Sequence, residues 1–596
     1  MSAYLAPLRD MQFILRDIAG LDEVVALPGY EEASPDLAEA ILEEAGKFAA
    51  GVLAPLNRTG DIQGCRLEDG SVQVPDGWQE AYRRYMEAGW IGLSLPPDYG
   101  GQGLPKLLSA PVWEMWHAAN LAFAMLPQLN VGQAEALLIA ASDEQKERWL
   151  HKVVSGEWAS TMNLTEPQAG SDLAATRCRA EAQADGSYRL FGQKIFISYG
   201  EHEVTENIVH LVLARLPDAP EGVKGLSLFL VPKYLVEADG SLGARNDVRC
   251  ISLEHKLGIH GSPTCTMVYG DAGGAVAEMI GQPNRGLEIM FAMMNDARFG
   301  VGIQGVALAE RASQMAVAYA RERIQGRNAK TGQTDLPIIH HPDVKRMLLG
   351  MRARIMAMRG LLYTVAGWSD LAHRHTDPAL ASKYQRYVDL LMPVAKGWCS
   401  EVGNEVCDEA IQVFGGMGFV EETGVAQYFR DARVITLYEG TTGIQANDLV
   451  GRKILREDGA TLKELIADIR QTAGKFSNLE AHEAMGHSLA EDVRLLERAS
   501  ETILARGKAG VMDEVLAVAV PFLHCLGTVC GSWQMARATL AADARLAAGE
   551  GDADYLRGIL DLAHFYFTHV APHAAAHART VINDDDAVSR FDSALF

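Results

Sequence analysis

The stretch SYRLFGQKIFISYG, residues 187–200, alternates apolar and polar side chains and is rich in aromatic and β-branched residues. This pattern is typical of a β-strand with one buried face, because successive side chains of a strand point to opposite faces. ENIVHLVLARL (206–216), KGLSLFLVPKYL (224–235) and CTMVYGDAGGAVAEMIG (265–281) follow it between turns rich in Gly, Asp and Pro. We therefore predict a small antiparallel β domain over residues 158–283.

Helical patterns flank this domain on both sides. Apolar residues recur at helical spacing over residues 1–157 and stop at the loop PPDYGGQGLP (96–105), which predicts an N-terminal helical domain. Residues 284–455 contain longer helical runs, which predict an antiparallel helix bundle. Residues 456–596, rich in Ala, Leu and Glu, predict an additional helical domain. The order of elements indicates an α+β multidomain protein.

The composition restricts the partners that the chain can have. Its 596 residues are 48% apolar and 22% charged, which is ordinary for a globular protein. It carries 54 basic and 77 acidic residues, a formal charge of −23. Because nucleic acid and anionic membranes bind to basic surfaces, this balance disfavours both as partners.

The pattern of apolar residues and cysteines indicates a compartment. No window approaches about 18 uninterrupted apolar residues, so we expect no integral membrane segment. The first residues lack the apolar core of a secretory leader, and eight scattered cysteines without a CxxC pair are typical of reduced thiols. These features predict a soluble cytoplasmic protein.

Two glycine-containing motifs could bind a ligand. MNLTEPQAGSD (162–172) combines hydroxyls with backbone N–H groups that suit a phosphate or the polar edge of a flavin, but the same residues are common in ordinary turns. FGGMGF (414–419) allows close approach of a ligand or merely ends a helix. Neither motif has the strand–GxGxxG–helix context of a dinucleotide fold, so we reject a Rossmann domain.

Three histidines near the C-terminus, His569, His573 and His577, are spaced to share one helical face, as metal ligands could. No carboxylate is spaced with them, and Pro572 interrupts the helix. A polar helix face explains the pattern better, and we predict no metal site.

A single carboxylate follows an apolar, strand-like run in RVITLYEGTTGIQ, residues 433–445. Glu439 comes directly after Tyr438 and before Gly440, on a turn flexible enough to aim its side chain. The residues alone leave two interpretations open. Glu439 is either a solvated loop residue or a catalytic base at the entrance of an apolar pocket.

Three segments taken together are more specific. LTEPQAGSD, FGGMGFVEETGVAQYFRDARV and YEGTTGIQ resemble, in this order and at similar separation, the signatures of acyl-CoA dehydrogenases. PPDYGGQG and GQKIFIS lie at the expected places between and before them. The resemblance covers residues from about 80 to 453 and implies the acyl-CoA dehydrogenase-like fold. The region after residue 456 is similar to the extra helical domain of longer family members.

The resemblance implies a reaction and a base. The family removes the α proton of an acyl thioester while a hydride leaves the β carbon for N5 of FAD. Glu439 occupies the position of the family's base, and its own backbone N–H, with a flavin ribityl hydroxyl, would hold the thioester oxygen. This agrees with the chemistry, because a weakly acidic α proton needs a positioned base and donors for the developing enolate oxygen.

The resemblance also implies contacts with cofactor and substrate. The expected FAD contacts are Met162, Leu164, Thr165, Gly170, Ser171, Phe196, Ser198, Arg323, Gln412, Gly415, Gly416 and Thr441. The expected substrate contacts are Ser171, Asn295, Arg298 and Gly440. Arg323 would reach the FAD pyrophosphate of a neighbouring subunit, Gln412 and the glycines would form the adenine-side loop, and Asn295 and Arg298 would begin a long helix beside CoA.

The chain departs from the family pattern at three places. Phe196 stands where the family has a flavin-stacking Trp, so the apolar plane remains while the indole N–H is lost. Gly443 stands where the family often has Gln, and RERIQGR lacks the Thr-Phe pair of the RxTFG motif.

We expect a dehydrogenase of medium- to long-chain fatty acyl-CoA in β-oxidation. We expect it to pass electrons to an electron-transfer flavoprotein and to form a homodimer. The alternatives are a 3-methylthiopropanoyl-CoA dehydrogenase and an acyl-CoA oxidase. A DNA-binding flavoprotein of the same fold is disfavoured, because residues 457–596 carry 12 basic and 21 acidic side chains.

Overall fold

The computed structural model describes residues 3–583 and 586–596. They form two compact units. The first unit comprises the chain up to Gly46, Pro105–Ala118, and the chain from Val301 onward. The second comprises Lys47–Leu104 and Ala119–Gly300.

The helices, in chain order, are α1 (Leu8–Phe13), α2 (Leu21–Val25), α3 (Pro35–Phe48), α4 (Ala54–Gln63), α5 (Trp78–Glu87), α6 (Lys106–Ala140), α7 (Asp143–Ser155), α8 (Gly286–Glu322), α9 (Pro342–Arg374), α10 (Pro378–Phe414), α11 (Val425–Ala432), α12 (Thr442–Asp448), α13 (Ala460–Gly474), α14 (Glu483–Ala509), α15 (Met512–Ala517), α16 (Ala519–Ala548), α17 (Ala553–His569), α18 (Pro572–Asn583) and α19 (Ala587–Arg590). The strands are β1 (Arg66–Glu68), β2 (Ser71–Gln73), β3 (Trp158–Asn163), β4 (Arg179–Ala182), β5 (Tyr188–Ser198), β6 (Asn207–Arg215), β7 (Leu226–Pro232), β8 (Tyr234–Val236), β9 (Leu242–Arg245), β10 (Val248–Leu253), β11 (Thr264–Tyr269) and β12 (Ala275–Ile280). Within the described residues no helix is long and apolar enough to cross a membrane.

An eight-stranded sheet forms the centre of the second unit. Its order is β10-β11-β5-β12-β7-β6-β3, and β4 pairs with β5 and β6. The sheet is mostly antiparallel, as predicted, but β3 pairs with β6 in parallel, from Trp158 opposite Asn207 to Asn163 opposite Val212. The chain between these two strands runs through β4 and β5, so β6 returns in the direction of β3. The period-two pattern could not show this, because it does not contain strand direction.

The central strands of this sheet are buried on both faces. Every residue of β7 is buried, and β6 is buried except at Arg215. The two strands therefore read as continuous apolar runs rather than as an alternation. A short hairpin of β1 and β2 lies in the stretch that was predicted to be mostly helical.

A helix bundle forms most of the first unit. The helices α9 and α10 are joined by a short loop and pack along their length, and α16 packs against α9, α10, α12, α14, α17 and α18. Close approach of α8 and α10 depends on glycine, because a Cβ on Gly403 would lie 2.7 Å from the carbonyl oxygen of Gly305. Helices flanking a β region, with further helices at the C-terminus, confirm the predicted fold class.

A buried ionic network at Arg359 ties α9 to other helices of the first unit. The fully buried guanidinium donates Nε to Glu114 Oε1 at 3.0 Å and Nη2 to Glu310 Oε2 at 2.9 Å. Tyr363 donates its hydroxyl to Glu114 Oε2 at 2.7 Å. Two carboxylates facing one cation offset its desolvation, so we expect loss of one partner to destabilise the bundle strongly.

Candidate active site

Glu439 lies on a tight turn between two helices of the first unit. Residues Arg433–Thr436 form a 3-10 helix that continues directly from α11, and α12 begins at Thr442. The sequence suggested a strand-like conformation for the apolar run before Glu439, and this is wrong. The run is helical. It is the end of a helical segment whose residues Ile435 and Thr436 are buried.

The backbone of this turn adopts a conformation that is costly for a residue with a side chain. Glu439 has φ +54° and Gly440 has φ +88°. A non-glycine residue in the left-handed region is uncommon, and such strain is concentrated at functional sites. A Cβ on Gly440 would lie 2.8 Å from Gln445 Nε2, and the φ of +88° disfavours any residue that carries a side chain.

Two buried side chains donate hydrogen bonds to the carbonyl groups of the turn. Gln445 of α12 donates Nε2 to the carbonyl oxygen of Glu439 at 2.9 Å. Lys396 of α10 donates Nζ to the carbonyl oxygen of Gly440 at 2.6 Å. Both donors are fully buried, whereas Glu439 itself is half-buried.

Tyr438 fixes the turn from its other side. Its hydroxyl donates to Gln304 Oε1 on α8. Burial, and after it the nearby charge of Glu439, raises the pKa of Tyr438 well above its usual value. The phenol is therefore neutral at physiological pH and acts as a hydrogen-bond donor next to the carboxylate.

Thr441 and Gly443 belong to the start of α12. The Thr441 hydroxyl oxygen accepts from the backbone N–H of Ile444 at 3.3 Å, which makes Thr441 the N-cap, and its O–H remains able to donate. A Cβ on Gly443 would meet only Thr441 Oγ1, at 3.9 Å. There is consequently room for a Cβ at position 443.

The predicted flavin loop of the second unit follows β3. Met162 and Thr165 are half-buried and Leu164 is buried, while Gly170 and Ser171 are exposed. A Cβ on Gly170 would meet nothing within 4 Å. The loop thus presents open backbone at its far end and partly covered side chains near the strand.

A buried ion pair attaches this loop to β5. Lys194 Nζ donates to Glu166 Oε1 and to the carbonyl oxygen of Leu164, both at 2.8 Å, and Ile195 N–H donates to the carbonyl oxygen of Thr165 at 2.9 Å. Burial raises the pKa of Glu166, but Lys194 and the backbone N–H groups of Arg177 and Cys178 outweigh it, so that the net pKa is lowered. The structure therefore brings Leu164 and Thr165 next to the residues that precede Phe196.

Phe196 lies on a β-bulge. The ladder pairs Cys265 with Ile197 and Met267 with Lys194, so that two residues of β5 face one residue of β11. Phe196 takes φ +60° there, and 59% of its surface is exposed. A bulge re-aims a side chain out of the regular alternation of the strand. The exposed aromatic face, with the open loop after β3, fits a planar ring that carries a polar chain.

Ser198, at the end of the same strand, is half-buried and pairs with Thr264 of β11. Only its position beyond the bulge is defined, and its contact with a cofactor stays a prediction.

The predicted placement of Asn295 and Arg298 at a helix start is wrong. The helix α8 begins at Gly286, so both residues lie well inside it. They share one helix face, and Arg298 Nη1 donates to Asn295 Oδ1 at 3.5 Å. Arg298 is buried and Asn295 is exposed. Free N–H groups of a helix terminus therefore cannot contribute to anion binding here, and only the side chains can.

The residues that were expected to reach the FAD of a neighbouring subunit or to form the adenine-side loop are exposed. Arg323 follows the last residue of α8 and donates Nη2 to Gln325 Oε1 at 3.2 Å. Gln412 lies in the last turn of α10, and Gly415, at φ +61°, ends that helix. Gly416 follows it on the surface, where a Cβ would meet nothing within 4 Å. Their role in FAD binding stays a prediction.

The histidines of the C-terminal region do not share one helix. The helix α17 ends at His569, and α18 begins at Pro572. His569, His573 and His577 line one cavity together with His524. In the part of the chain that the structure describes, no group of three or more His, Cys, Asp or Glu side chains is placed to hold a metal ion.

Sequence reasoning missed the residues that support these two sites. Lys396 stands in the apolar run LLMPVAKGWC, and Lys194 stands in the strand GQKIFIS. A single lysine in an apolar segment is the signal that could have found them, because a buried ammonium needs a polar partner.

Comparison with known proteins identifies the family. The chain matches the acyl-CoA dehydrogenase N-terminal domain over residues 35–157, the middle domain over 161–272, and the C-terminal domain over 284–454. Residues 465–592 match a domain described as acetyl-CoA dehydrogenase C-terminal like. The chain belongs to the acyl-CoA dehydrogenase family. This confirms the predicted class, a flavin-dependent oxidoreductase of acyl-CoA with FAD as its cofactor.

Relatives of full length have related activities in their names. A 3-methylmercaptopropionyl-CoA dehydrogenase of Ruegeria pomeroyi is 45% identical over 98% of this chain and 99% of its own. A broad-specificity linear acyl-CoA dehydrogenase of Mycobacterium tuberculosis is 33% identical over 100% of both chains. A Bacillus anthracis acyl-CoA dehydrogenase, solved in complex with FAD, has a TM-score of 0.74 at 22% identity over 96% of this chain and 92% of its own, which shows the shared fold.

Proposed function

We propose that this protein is an FAD-dependent dehydrogenase that converts 3-methylthiopropanoyl-CoA to its trans-2-enoyl-CoA. The observation that carries the reaction is Glu439, a carboxylate on a strained turn whose two following carbonyl groups accept hydrogen bonds from buried side chains. Support for the substrate comes from the Ruegeria enzyme, which is similar along the whole chain and whose name describes the same thioether acyl group.

In the proposed reaction Glu439 accepts the α proton of the acyl thioester. Substrate that excludes water from a half-buried carboxylate raises its proton affinity, because burial disfavours the charged form. The backbone N–H of Glu439 donates to the thioester oxygen, on which negative charge develops as the proton leaves. Carboxylate and N–H belong to one residue, so a single turn presents both the base and a donor.

The proposed cofactor site uses the second unit. The aromatic face of Phe196 packs against the flavin ring, and Met162, Leu164, Thr165 and Ser198 border it. Gly170 and Ser171 bind the polar chain. When bound, FAD supplies the acceptor for the hydride that leaves the β carbon. Two features support the fit of FAD to these residues. Phe196 on the bulge offers an exposed aromatic plane, and the loop after β3 offers uncovered backbone.

Further contacts follow from the same proposal. Arg323 reaches the FAD pyrophosphate of a neighbouring subunit in a homodimer, Gln412, Gly415 and Gly416 form the adenine-side loop, and Thr441 donates its O–H to the cofactor. Asn295, Arg298 and Gly440 contact the CoA ester. An electron-transfer flavoprotein accepts the electrons in the cytoplasm.

A fatty acyl-CoA substrate is the second candidate. The broad-specificity linear acyl-CoA dehydrogenase, similar over the full chain, favours it. The predicted preference for medium- to long-chain acyl groups and a role in β-oxidation stay predictions. An acyl-CoA oxidase would share the base and would differ in reacting rapidly with oxygen.

The substrate is tested by anaerobic titration of the flavin absorbance. Purified protein receives 3-methylthiopropanoyl-CoA or pentanoyl-CoA, in which CH₂ replaces the sulfur in a chain of equal length, and then fatty acyl-CoAs from C4 to C18. We expect bleaching by both five-atom substrates and the highest kcat/KM with the thioether. A higher value for C12 to C18 chains would contradict the proposed substrate, and rapid peroxide formation in air would identify an oxidase.

A further inference from the structure

We propose that Lys396 and Gln445 are positioning residues for the base. They clamp the two peptide groups that follow the Glu439 Cα, so that its carboxylate and its backbone N–H keep their directions during turnover. The inference rests on the proposed function of Glu439 and adds two residues to that site.

The clamp acts on successive peptide groups. The carbonyl of Glu439, bonded to Gln445 Nε2 at 2.9 Å, belongs to the peptide between Glu439 and Gly440. The carbonyl of Gly440, bonded to Lys396 Nζ at 2.6 Å, belongs to the next peptide. Rotation of either peptide would change the backbone dihedrals on which the direction of the base depends. Two donors from two different helices oppose that rotation.

The left-handed backbone explains why a clamp is needed. A glutamate at φ +54° is less favourable than the same residue in the right-handed or extended regions. A turn between helices has no ladder of backbone bonds to hold it, and without other contacts it would relax. Strained residues persist only where the surroundings over-determine them.

Burial makes the two donors effective. Lys396 and Gln445 are both fully buried, so water does not compete for the carbonyl groups that they hold. An ammonium loses much hydration free energy when it is buried, and a carbonyl oxygen at 2.6 Å returns part of it. Gln445 is held in turn by the packing around it, because its side chain is fully buried.

The variants Lys396→Met and Gln445→Met test the clamp. Each removes a donor and keeps a flexible side chain of similar length. Lys383→Met is the matched control, because Lys383 lies on the same helix and pairs with Asp468 at 3.0 Å instead of with the turn. The holoenzymes are compared by FAD content, thermal melting, kcat and KM.

A second measurement isolates proton abstraction. The substrate 3-thiapentanoyl-CoA has sulfur at its β position and cannot release a hydride, so exchange of its α protons in D₂O reports the base alone. We expect kcat and the exchange rate to fall together by about tenfold or more in both variants, because small misplacement of a reacting group is costly. We expect KM and FAD content to stay within about twofold of the wild-type values, and Lys383→Met to behave as wild type.

Three outcomes would overturn the clamp. The first is unchanged kcat and exchange in FAD-loaded variants. The second is a fall in kcat without a fall in exchange, and the third is an equal fall in Lys383→Met. If Lys396→Met does not fold or loses FAD, the same criteria applied to Gln445→Met decide. Absence of turnover and exchange in the wild-type protein would instead contradict the proposed function, and the clamp would fall with it.

Discussion

Glu439 and Phe196 are both side-chain-bearing residues in the left-handed region, at φ +54° and φ +60°. They are held there by different means. Phe196 lies in a strand, where ladder bonds on both sides of the bulge hold the backbone. Glu439 lies between helices, where side chains of α10 and α12 bond to the carbonyl groups instead. A sheet can maintain a strained position with its own backbone, whereas a turn between helices requires dedicated side chains.

The largest expected effect comes from removing the base, because Glu439 is proposed to accept a proton whereas Phe196 is proposed to contact the cofactor. Glu439→Gln keeps the shape of the side chain and removes the proton acceptor, so we expect turnover to fall by roughly 10³-fold or more. The variant retains FAD and binds acyl-CoA, but the flavin does not bleach in an anaerobic titration. Glu422→Gln, at an exposed position of the same unit, serves as control. Normal bleaching of Glu439→Gln would show that another group is the base.

The next largest effect comes from a change in the turn that leaves the side chain of Glu439 in place. In Gly440→Ala the new Cβ lies 2.8 Å from Gln445 Nε2 at φ +88°, so we expect the turn to shift and kcat/KM to fall by roughly 10–100-fold. Gly443→Ala is the matched control, because its Cβ has room and helical backbone favours alanine. Equal kcat/KM values for Gly440→Ala and Gly443→Ala would show that the turn is no more restrained than an ordinary helix start.

A smaller effect concerns the bulge. Phe196→Gly relieves the left-handed strain, so we expect the apoprotein to gain about 1 kcal/mol in free energy of unfolding. The same variant loses the aromatic face, and we expect FAD to bind about tenfold more weakly. Phe196→Trp keeps the face and is expected to bind FAD at least as well as wild type. Denaturant unfolding and flavin fluorescence measure the two quantities, and tighter FAD binding by the glycine variant would contradict the stacking role.

The smallest effect is a pH dependence that arises beside the sheet. Burial lowers the pKa of His202 and of His210 to about 3. Below the unfolded-state value near 6.5 the unfolded chain takes up protons that the folded protein does not, so stability falls as pH falls towards 3. We expect a loss of about 1 kcal/mol per histidine between pH 7 and 5.5. Urea melts at the two pH values measure it.

A matched variant assigns this loss. His202→Phe removes one titrating group and is expected to reduce the pH-dependent loss by about that amount. Burial raises the pKa of Asp492 to about 7, so this carboxyl group changes stability in the opposite direction over the same range, but its contribution is equal in wild type and variant and cancels in their comparison. An unchanged difference between the two pH values would show that His202 is not the source.

Patterns with a strong period were predictable from sequence. The strand SYRLFGQKIFISYG and the long helices appear where their periods place them, because burial of one face determines both. The start of α8 was misplaced because no Ser, Thr, Asp or Asn directly precedes Gly286 to mark the beginning of GLEIMFAMM, the stretch before Asn295. The segment before Glu439 was misread because a short apolar run does not distinguish a strand from a 3-10 helix.

Other features depend on contacts between residues far apart in sequence. Lys396 meets Gly440 across 44 positions, and Lys194 meets Glu166 across 28. A single sequence shows that each lysine is out of place in its apolar segment but not which group it meets. Positive φ at Glu439 and Phe196 was equally out of reach, because both residue types normally avoid it.

The composition of the first unit from separated parts of the chain has a consequence for biosynthesis. Asp17 pairs with Arg545 at 2.9 Å across 528 positions, and Asp10 accepts from the Tyr555 hydroxyl at 2.9 Å. At roughly 5–20 residues per second, a ribosome needs about 25–100 s to make the second partner after the first. The residues of the second unit up to Gly300 leave the ribosome long before then. The N-terminal helices therefore wait longest for their final contacts and are the segment to which a chaperone has the longest access.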